Sequence, residues 1–145
     1  MKSGDYLLIQ FGHNDAAAEK KERYVPLETF GESLMEYIRV AREKKAYPIL
    51  ISSICLRPCL ANEQGENAKI DALLPKYAEE MKKLADKENI PYVDMLGITR
   101  KACAKAGEEQ TAVWYREDNV HLQEAGAQLY AHFVAEEIKK LIGKE

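Results

Sequence analysis

The sequence predicts an α/β protein in which helices cover both faces of a parallel sheet, a three-layer α/β/α arrangement. Three short apolar segments alternate with amphipathic segments along the chain. Each apolar segment is hydrophobic almost throughout, which is typical of strands covered on both faces. Strands separated by helices of this length form right-handed βαβ units. The 145 residues suffice for one domain with a hydrophobic core, so we expect a single domain over residues 1–145.

The predicted strands are Asp5–Phe11, Pro48–Ile54 and Pro91–Met95. The first ends abruptly in the polar sequence GHND, and a long polar loop, residues 57–67, follows the second. Ligands bind beyond the carboxyl ends of the strands in open parallel sheets. We therefore expect the functional groups in these loops.

Four amphipathic helices accompany the strands. A shorter one is predicted over Leu96–Ala106, and Gly107 is suited to end it. The other three are indicated by apolar residues at steps of three and four. Their stripes are Leu27, Phe30, Leu34, Ile38 and Ala41; then Ile70, Leu73, Tyr77, Met81 and Leu84; and last Ala125, Leu129, Phe133, Val134, Ile138 and Leu141.

Composition argues against several classes of protein. The formal net charge is -3 and no block of Lys and Arg stands out, which disfavours a nucleic-acid partner. No apolar run approaches the length of a membrane span, so no membrane association is expected. Three cysteines do not form a disulfide framework. Cys55 and Cys59 lack neighbouring ligands for a metal site.

The GHND sequence after the first strand can serve acyl chemistry. Gly12 permits a tight exit from the strand. The carboxamide of Asn14 can donate a hydrogen bond to a developing oxyanion. A carboxylate cannot stabilise an anion directly, so Asp15 is expected to fix the loop. The alternative is that Asn14 and Asp15 only form an Asx turn at a strand end.

The sequence DNVH, residues 118–121, places a carboxylate three residues before a histidine. If this loop forms a turn, Asp118 can accept the ring N–H of His121 and support the imidazolium that forms when the other nitrogen takes a proton. The alternative is a surface loop that caps the last helix and carries an exposed histidine.

The two motifs in this order resemble the SGNH (GDSL-type) hydrolase family, whose fold is a flavodoxin-like parallel sheet. Within that family, GDYLLIQFGHND and DNVHLQEAGAQLYAHFVAEEI are most similar to the rhamnogalacturonan acetylesterase branch. The resemblance continues through RP in the loop after the second strand and through KYAEEMKKLADKENIPYVDM. It therefore extends over nearly the whole chain.

The resemblance implies catalytic roles for four residues. Asn14 is the side-chain oxyanion donor, Gly12 shapes its loop, His121 is the general base, and Asp118 orients His121. The family attacks an ester with a serine and passes through an acyl-enzyme. The implied substrate is an acetylated oligo- or polysaccharide, and no cofactor or metal is implied. Arg57 is expected to bind the substrate through a sugar or uronate group.

The family's Gly-Asp-Ser block, which carries the nucleophile, is not recognisable here. Ser3 precedes the first strand instead of following it, and Ser52 and Ser53 lack the flanking glycines of a nucleophile elbow. We therefore expect an amino-terminally truncated fold that begins at the family's third strand and represents its C-terminal two-thirds. Without the preceding strands, Asp5–Phe11 becomes a sheet edge, so a homo-oligomer joined through this first-strand edge is expected.

Two functions stay open at this point. One is an SGNH-type esterase that removes acetyl groups from a carbohydrate by serine-type hydrolysis, in a form that lacks the Gly-Asp-Ser block. The other is a catalytically inactive SGNH-like fragment that acts as a binding or interaction module. A receiver or nucleotide-binding domain has less support, because no Gly-rich phosphate loop follows any predicted strand.

Overall fold

The computed structural model describes residues 1–58 and 65–143, so Cys59 and most of the predicted polar loop lie outside the described residues. The strands are β1 (Tyr6–Phe11), β2 (Tyr47–Ser52) and β3 (Tyr92–Val93). The helices are α1 (Leu27–Glu43), α2 (Glu66–Glu88), α3 (Met95–Ala112) and α4 (Glu124–Ile142). The three strands pair in parallel in the order β1-β2-β3. The predicted α/β fold with a parallel sheet is confirmed.

The central strand β2 carries the middle of the core. Ile49, Leu50 and Ile51 are buried because helices cover both of their faces. Helices α1 and α2 pack against each other and against β2, as consecutive right-handed crossovers require. Helix α3 also contacts β2, and it packs against α4.

Strand β1 lies at one edge of the sheet, as predicted, and pairs with β2 on its other side. Ile9 is buried. Tyr6, Leu8 and Phe11, in contrast, are 40%, 46% and 40% exposed. In the part of the chain that the structure describes, no strand pairs with the outer edge of this run, which contains neither a charge nor a proline and exposes apolar side chains to solvent.

The helices follow the predicted stripes with three differences. In α2 the buried row contains Leu74 and Ala85, while Leu73 and Leu84 are only partly buried. At Gly107, whose φ of 81° and ψ of 179° are non-helical, the first part of α3 ends as predicted, but a second helical part follows up to Ala112. The α4 stripe is mostly half-buried, and the two residues of this helix that are buried are Gly126 and Tyr130.

A close approach between α4 and the preceding loop depends on Gly126. A β-carbon at this position would lie inside contact distance of the Trp114 carbonyl oxygen, which also accepts the Gln123 N–H at 2.8 Å. The absence of a side chain at Gly126 therefore sets how closely α4 can approach Trp114.

We expect Gly126→Ala to lower the free energy of unfolding by about 1–3 kcal/mol, because backbone must move to relieve the overlap. The better helix propensity of alanine offsets only ~0.5–1 kcal/mol of this loss. Urea denaturation measures the change. The matched control is Gly31→Ala within α1, where an added β-carbon meets nothing within 4 Å and stability should rise. Equal effects of the two substitutions would contradict the close approach.

Across the described ranges, no helix has both the length and the apolar character needed to cross a bilayer.

Candidate active site

The loop after β1 is held by its own backbone and by one carboxylate. Gly12 has a φ of 128°, a conformation that favours glycine. Its N–H donates to Asp15 Oδ2 at 2.8 Å, and its carbonyl accepts the N–H of Ala16 at 3.0 Å. Asp15 thus fixes the loop, as its position suggests. Asn14 lies at the exposed side of this turn.

The loop before α4 forms the turn that the Asp-x-x-His spacing predicts. Oδ1 of Asp118 accepts the backbone N–H groups of Val120 and His121, each at 2.9 Å. Its other oxygen, Oδ2, lies 2.6 Å from Nδ1 of His121. The bond from the His121 ring, with the backbone bonds from His121 and Val120, lowers the pKa of Asp118 to about 2.

Since Asp118 is ionised at neutral pH, Nδ1 of His121 is the donor in this contact. The other ring nitrogen, Nε2, is then available to take a proton. The turn is closed by the Arg116 N–H, which donates to the His121 carbonyl at 2.7 Å. The His121 side chain is 72% exposed, so its imidazole can be reached from solvent.

One pocket of about 220 Å³ brings the two loops together. Asn14 lines it from the β1 side, and Asp118 and His121 line it from the loop before α4. Asn67 of α2 also borders the pocket and donates to the Asp118 carbonyl at 3.4 Å. The remaining lining residues are His13, Ala17, Lys20, Arg23, Ile70 and Val120.

Sequence reasoning missed His13, which is a second histidine in this pocket. Its pKa lies below the ordinary value, first because the ring is partly buried and then because His121, Arg23 and Lys20 add positive charge nearby. The sequence feature that could have identified His13 is its position inside the GHND motif. Lys20 and Arg23 lie in the irregular segment before α1, so no periodic pattern in the sequence predicts which way their side chains point.

Gly12 does not line the pocket that holds His121. It borders an adjoining cavity of about 210 Å³ together with Asn14, Asp15 and Ser53, among others. Its contribution is therefore to the conformation of the loop that carries Asn14, in keeping with the shaping role that the family resemblance implies.

The chain contains four serines, all within the described residues, and none lines the pocket that holds His121. Ser52 is buried, accepts the Leu96 N–H at 2.9 Å and lies 3.4 Å from Asp94. Ser53 donates to the neighbouring carbonyl of Ile54 at 3.1 Å. Ser33 lies on α1, where it donates to the Thr29 carbonyl, and Ser3 precedes β1.

Arg57, which the resemblance predicts to bind a sugar, makes its hydrogen bonds to other residues of the protein. Its Nε donates to Thr111 Oγ1 at 3.2 Å, its Nη1 to Asn119 Oδ1 at 3.1 Å, and its Nη2 to the Glu108 carbonyl at 3.0 Å. Each guanidinium nitrogen thus has a protein acceptor, and Arg57 is not among the residues that line the pocket. Within the part of the chain that the structure describes, no group of three or more His, Cys, Asp or Glu side chains is placed to hold a metal ion.

Comparison with known proteins identifies the lineage. Residues 1–129 match the model of the GDSL-like lipase/acylhydrolase family. The chain belongs to this family. Rhamnogalacturonan acetylesterase RhgT of Bacillus subtilis (strain 168) is 36% identical to this GDSL-like protein over 152 residues, and the match covers 95% of this chain and 62% of RhgT. The probable rhamnogalacturonan acetylesterase YesY of the same organism is 34% identical over 143 residues, covering 94% of this chain and 63% of YesY.

Solved structures show the same fold. The crystal structure of the YXIM protein of Bacillus subtilis matches the GDSL-like chain with a TM-score of 0.77 and 25% identity, over 97% of this chain and 38% of that one. The acetylxylan esterase Axe2 of Geobacillus stearothermophilus matches with a TM-score of 0.66 and 22% identity, over 91% and 58% of the two chains. The predicted membership of the SGNH (GDSL-type) family is confirmed by the family match, and the two relatives of 36% and 34% identity support the rhamnogalacturonan acetylesterase-like branch. The chain spans about three fifths of the length of the two curated rhamnogalacturonan acetylesterases.

Proposed function

We propose that this protein supplies the general base and the oxyanion donor of an acyl-ester hydrolase that acts on acetylated carbohydrates. One observation carries the proposal: a single pocket is lined by the carboxamide-bearing Asn14 and by a histidine that is hydrogen-bonded to a carboxylate. Membership of the GDSL-like family supports acyl chemistry at this pocket.

In the proposed reaction, Nε2 of His121 takes the proton of an attacking hydroxyl as its oxygen bonds to the ester carbonyl carbon. Asp118 accepts the Nδ1–H throughout and stabilises the imidazolium. The carboxamide of Asn14 donates to the oxyanion that develops on the former carbonyl oxygen. When the tetrahedral intermediate collapses, the C–O bond to the sugar breaks and the imidazolium returns its proton to the leaving sugar oxygen.

The attacking hydroxyl in this scheme comes from water or from a serine outside these 145 residues, because the four serines within them lie outside the pocket. A serine would form an acyl-enzyme that water hydrolyses in a second step. Direct attack by water releases acetate when the tetrahedral intermediate collapses, without an acyl-enzyme. In both routes the products are acetate and a free sugar hydroxyl.

Two relatives named as rhamnogalacturonan acetylesterases favour an acetylated polysaccharide as the substrate. The test is the release of acetate from acetylated rhamnogalacturonan, followed with a coupled acetate assay beside heat-denatured protein. Release that requires the folded protein supports the proposal. Acetate at the level of the denatured control would contradict it.

A second candidate function is a non-catalytic carbohydrate-binding module. The specific observation that favours it is that no serine lines the pocket of His121. Calorimetry with deacetylated and acetylated rhamnogalacturonan oligomers distinguishes the two functions. Binding of both oligomers without any acetate release supports the module, whereas release of acetate supports the esterase.

We further propose that the free edge of β1 joins two copies of this chain. Edge strands in monomeric proteins are commonly protected by charges, proline or bulges, and residues 6–11 contain neither a charge nor a proline. Two copies of β1 related by a twofold axis pair in antiparallel fashion and bury the exposed Tyr6, Leu8 and Phe11.

Leu8→Lys is expected to convert the dimer into a monomer at micromolar concentration, because it places a charge at the middle of the paired edges. Light scattering coupled to size exclusion measures the mass. The matched control is Val113→Lys, which alters a residue of similar exposure, 51%, beyond the end of α3. A monomeric wild-type protein, or equal masses for the two variants, would contradict the interface.

A further inference from the structure

Arg57 joins three segments that are distant in sequence. It follows β2, and its guanidinium reaches the second part of α3 at Glu108 and Thr111 and the loop before α4 at Asn119. The backbone N–H of Arg57 also donates to the Asn119 carbonyl at 2.9 Å. Asn119 is therefore held both through its backbone and through its side chain by one residue.

Asn119 is the turning point of the loop that carries the proposed base. It has a φ of 59°, in the left-handed region, and it lies between Asp118 and Val120. Its own N–H donates to the Arg116 carbonyl at 2.9 Å. Because the conformation at residue 119 sets the directions in which the chain leaves it, contacts that hold Asn119 also orient the Asp118 carboxylate.

The Thr111 side chain, which accepts a hydrogen bond from Arg57, is buried. Thr111 is 1% exposed, and its hydroxyl donates to the Glu108 carbonyl at 3.0 Å, which leaves its oxygen to accept from Arg57 Nε. A guanidinium presents its donors in a rigid planar fork and can serve three acceptors at once. A lysine ammonium is a single point donor on a flexible stem and cannot span the same three acceptors.

We propose that Arg57 is a positioning residue that holds Asn119 so that Asp118 keeps the His121 imidazole in the pocket shared with Asn14. Its significance for catalysis rests on the proposed function. The clamp itself rests on the four hydrogen bonds of Arg57 and is testable without any enzymatic activity.

The test is an NMR titration of the Asp118 carboxyl in the wild type and in Arg57→Lys. We expect a pKa of about 2 in the wild type. In Arg57→Lys we expect a rise toward the ordinary value of about 3.9, because a loosened loop weakens the bonds from His121 and Val120 that lower it. The substitution keeps the positive charge, so a rise reports lost positioning. An unchanged pKa in a folded variant would overturn the proposal.

Two further variants keep the test decisive. Arg100→Lys changes an arginine that instead contacts Asp71 on α2, and it should leave the titration of Asp118 unchanged. Asn119→Gly suits the left-handed conformation and keeps the carbonyl that accepts from Arg57, but it removes the side-chain acceptor. It should raise the pKa of Asp118 by a smaller amount. If Arg57→Lys does not fold, the absence of a rise in Asn119→Gly overturns the proposal.

An activity measurement separates this proposal from the proposed function. With an aryl acetate, Arg57→Lys should lower kcat about tenfold or more and leave KM unchanged. A displaced general base stabilises the transition state less well but does not alter substrate binding. A shifted Asp118 titration without wild-type hydrolysis would refute the proposed function and leave the clamp standing. Wild-type hydrolysis with both the titration and kcat unchanged in Arg57→Lys would refute the clamp.

Discussion

Replacing His121 by alanine is expected to reduce the hydrolysis of an aryl acetate by about 10²- to 10⁴-fold, the contribution of a positioned general base. The imidazole is the group in the pocket whose ring is oriented by a carboxylate, at 2.6 Å from Asp118. Without it, the attacking hydroxyl has no acceptor for its proton in the proposed reaction. Initial rates of aryl acetate hydrolysis, corrected for the spontaneous reaction, measure the effect.

The matched control is His132→Ala. His132 lies on the exposed side of α4 and does not line the pocket of His121. Its replacement should leave the rate unchanged. Equal rates for the wild type and His121→Ala would favour the non-catalytic module. Equal losses in the two histidine variants would show that hydrolysis arises from surface imidazoles and not from the pocket.

Replacing Asn14 by alanine is expected to lower kcat by about 10²- to 10³-fold, the usual effect of removing one oxyanion donor. KM should change little, because the oxyanion exists only in the transition state and the intermediate. Steady-state kinetics with the aryl acetate separate the two parameters.

Asn89→Gly is the control for this amide. Asn89 caps α2 with a φ of 53°, a conformation that glycine adopts readily, so the substitution removes a remote carboxamide without backbone strain. It should leave kcat unchanged. A rise in KM with unchanged kcat in Asn14→Ala would assign Asn14 to substrate binding instead of oxyanion stabilisation.

The fold was largely predictable because its signals are local and periodic. The α1 stripe at Phe30, Leu34, Ile38 and Ala41 is buried as expected. The neighbouring stripe on α2 shifted by one position at Leu74, because this helix contacts α1, α3 and two strands at once and buries a broader face. Periodicity in the sequence does not reveal which side of a broad apolar face is covered most completely.

The site was predictable only where a motif fixes the geometry over a few residues. Asp118 and His121 lie three positions apart, so a single turn brings the carboxylate to the ring. Arg57 reaches acceptors 51 to 62 residues away. No local pattern distinguishes such an internal clamp from a solvated arginine. His13 was overlooked for a similar reason, since the residues that share its pocket, among them His121, come from distant parts of the sequence.

The central claim is that Asn14 and His121 face one ligand in one pocket. An NMR titration with acetate, the proposed product, tests it most directly. We expect the side-chain amide signals of Asn14 and the ring signals of His121 to shift along the same saturation curve, and the His132 signals to stay unchanged. Shifts of only one of the two residues, or of each with a different dissociation constant, would contradict a shared acyl pocket.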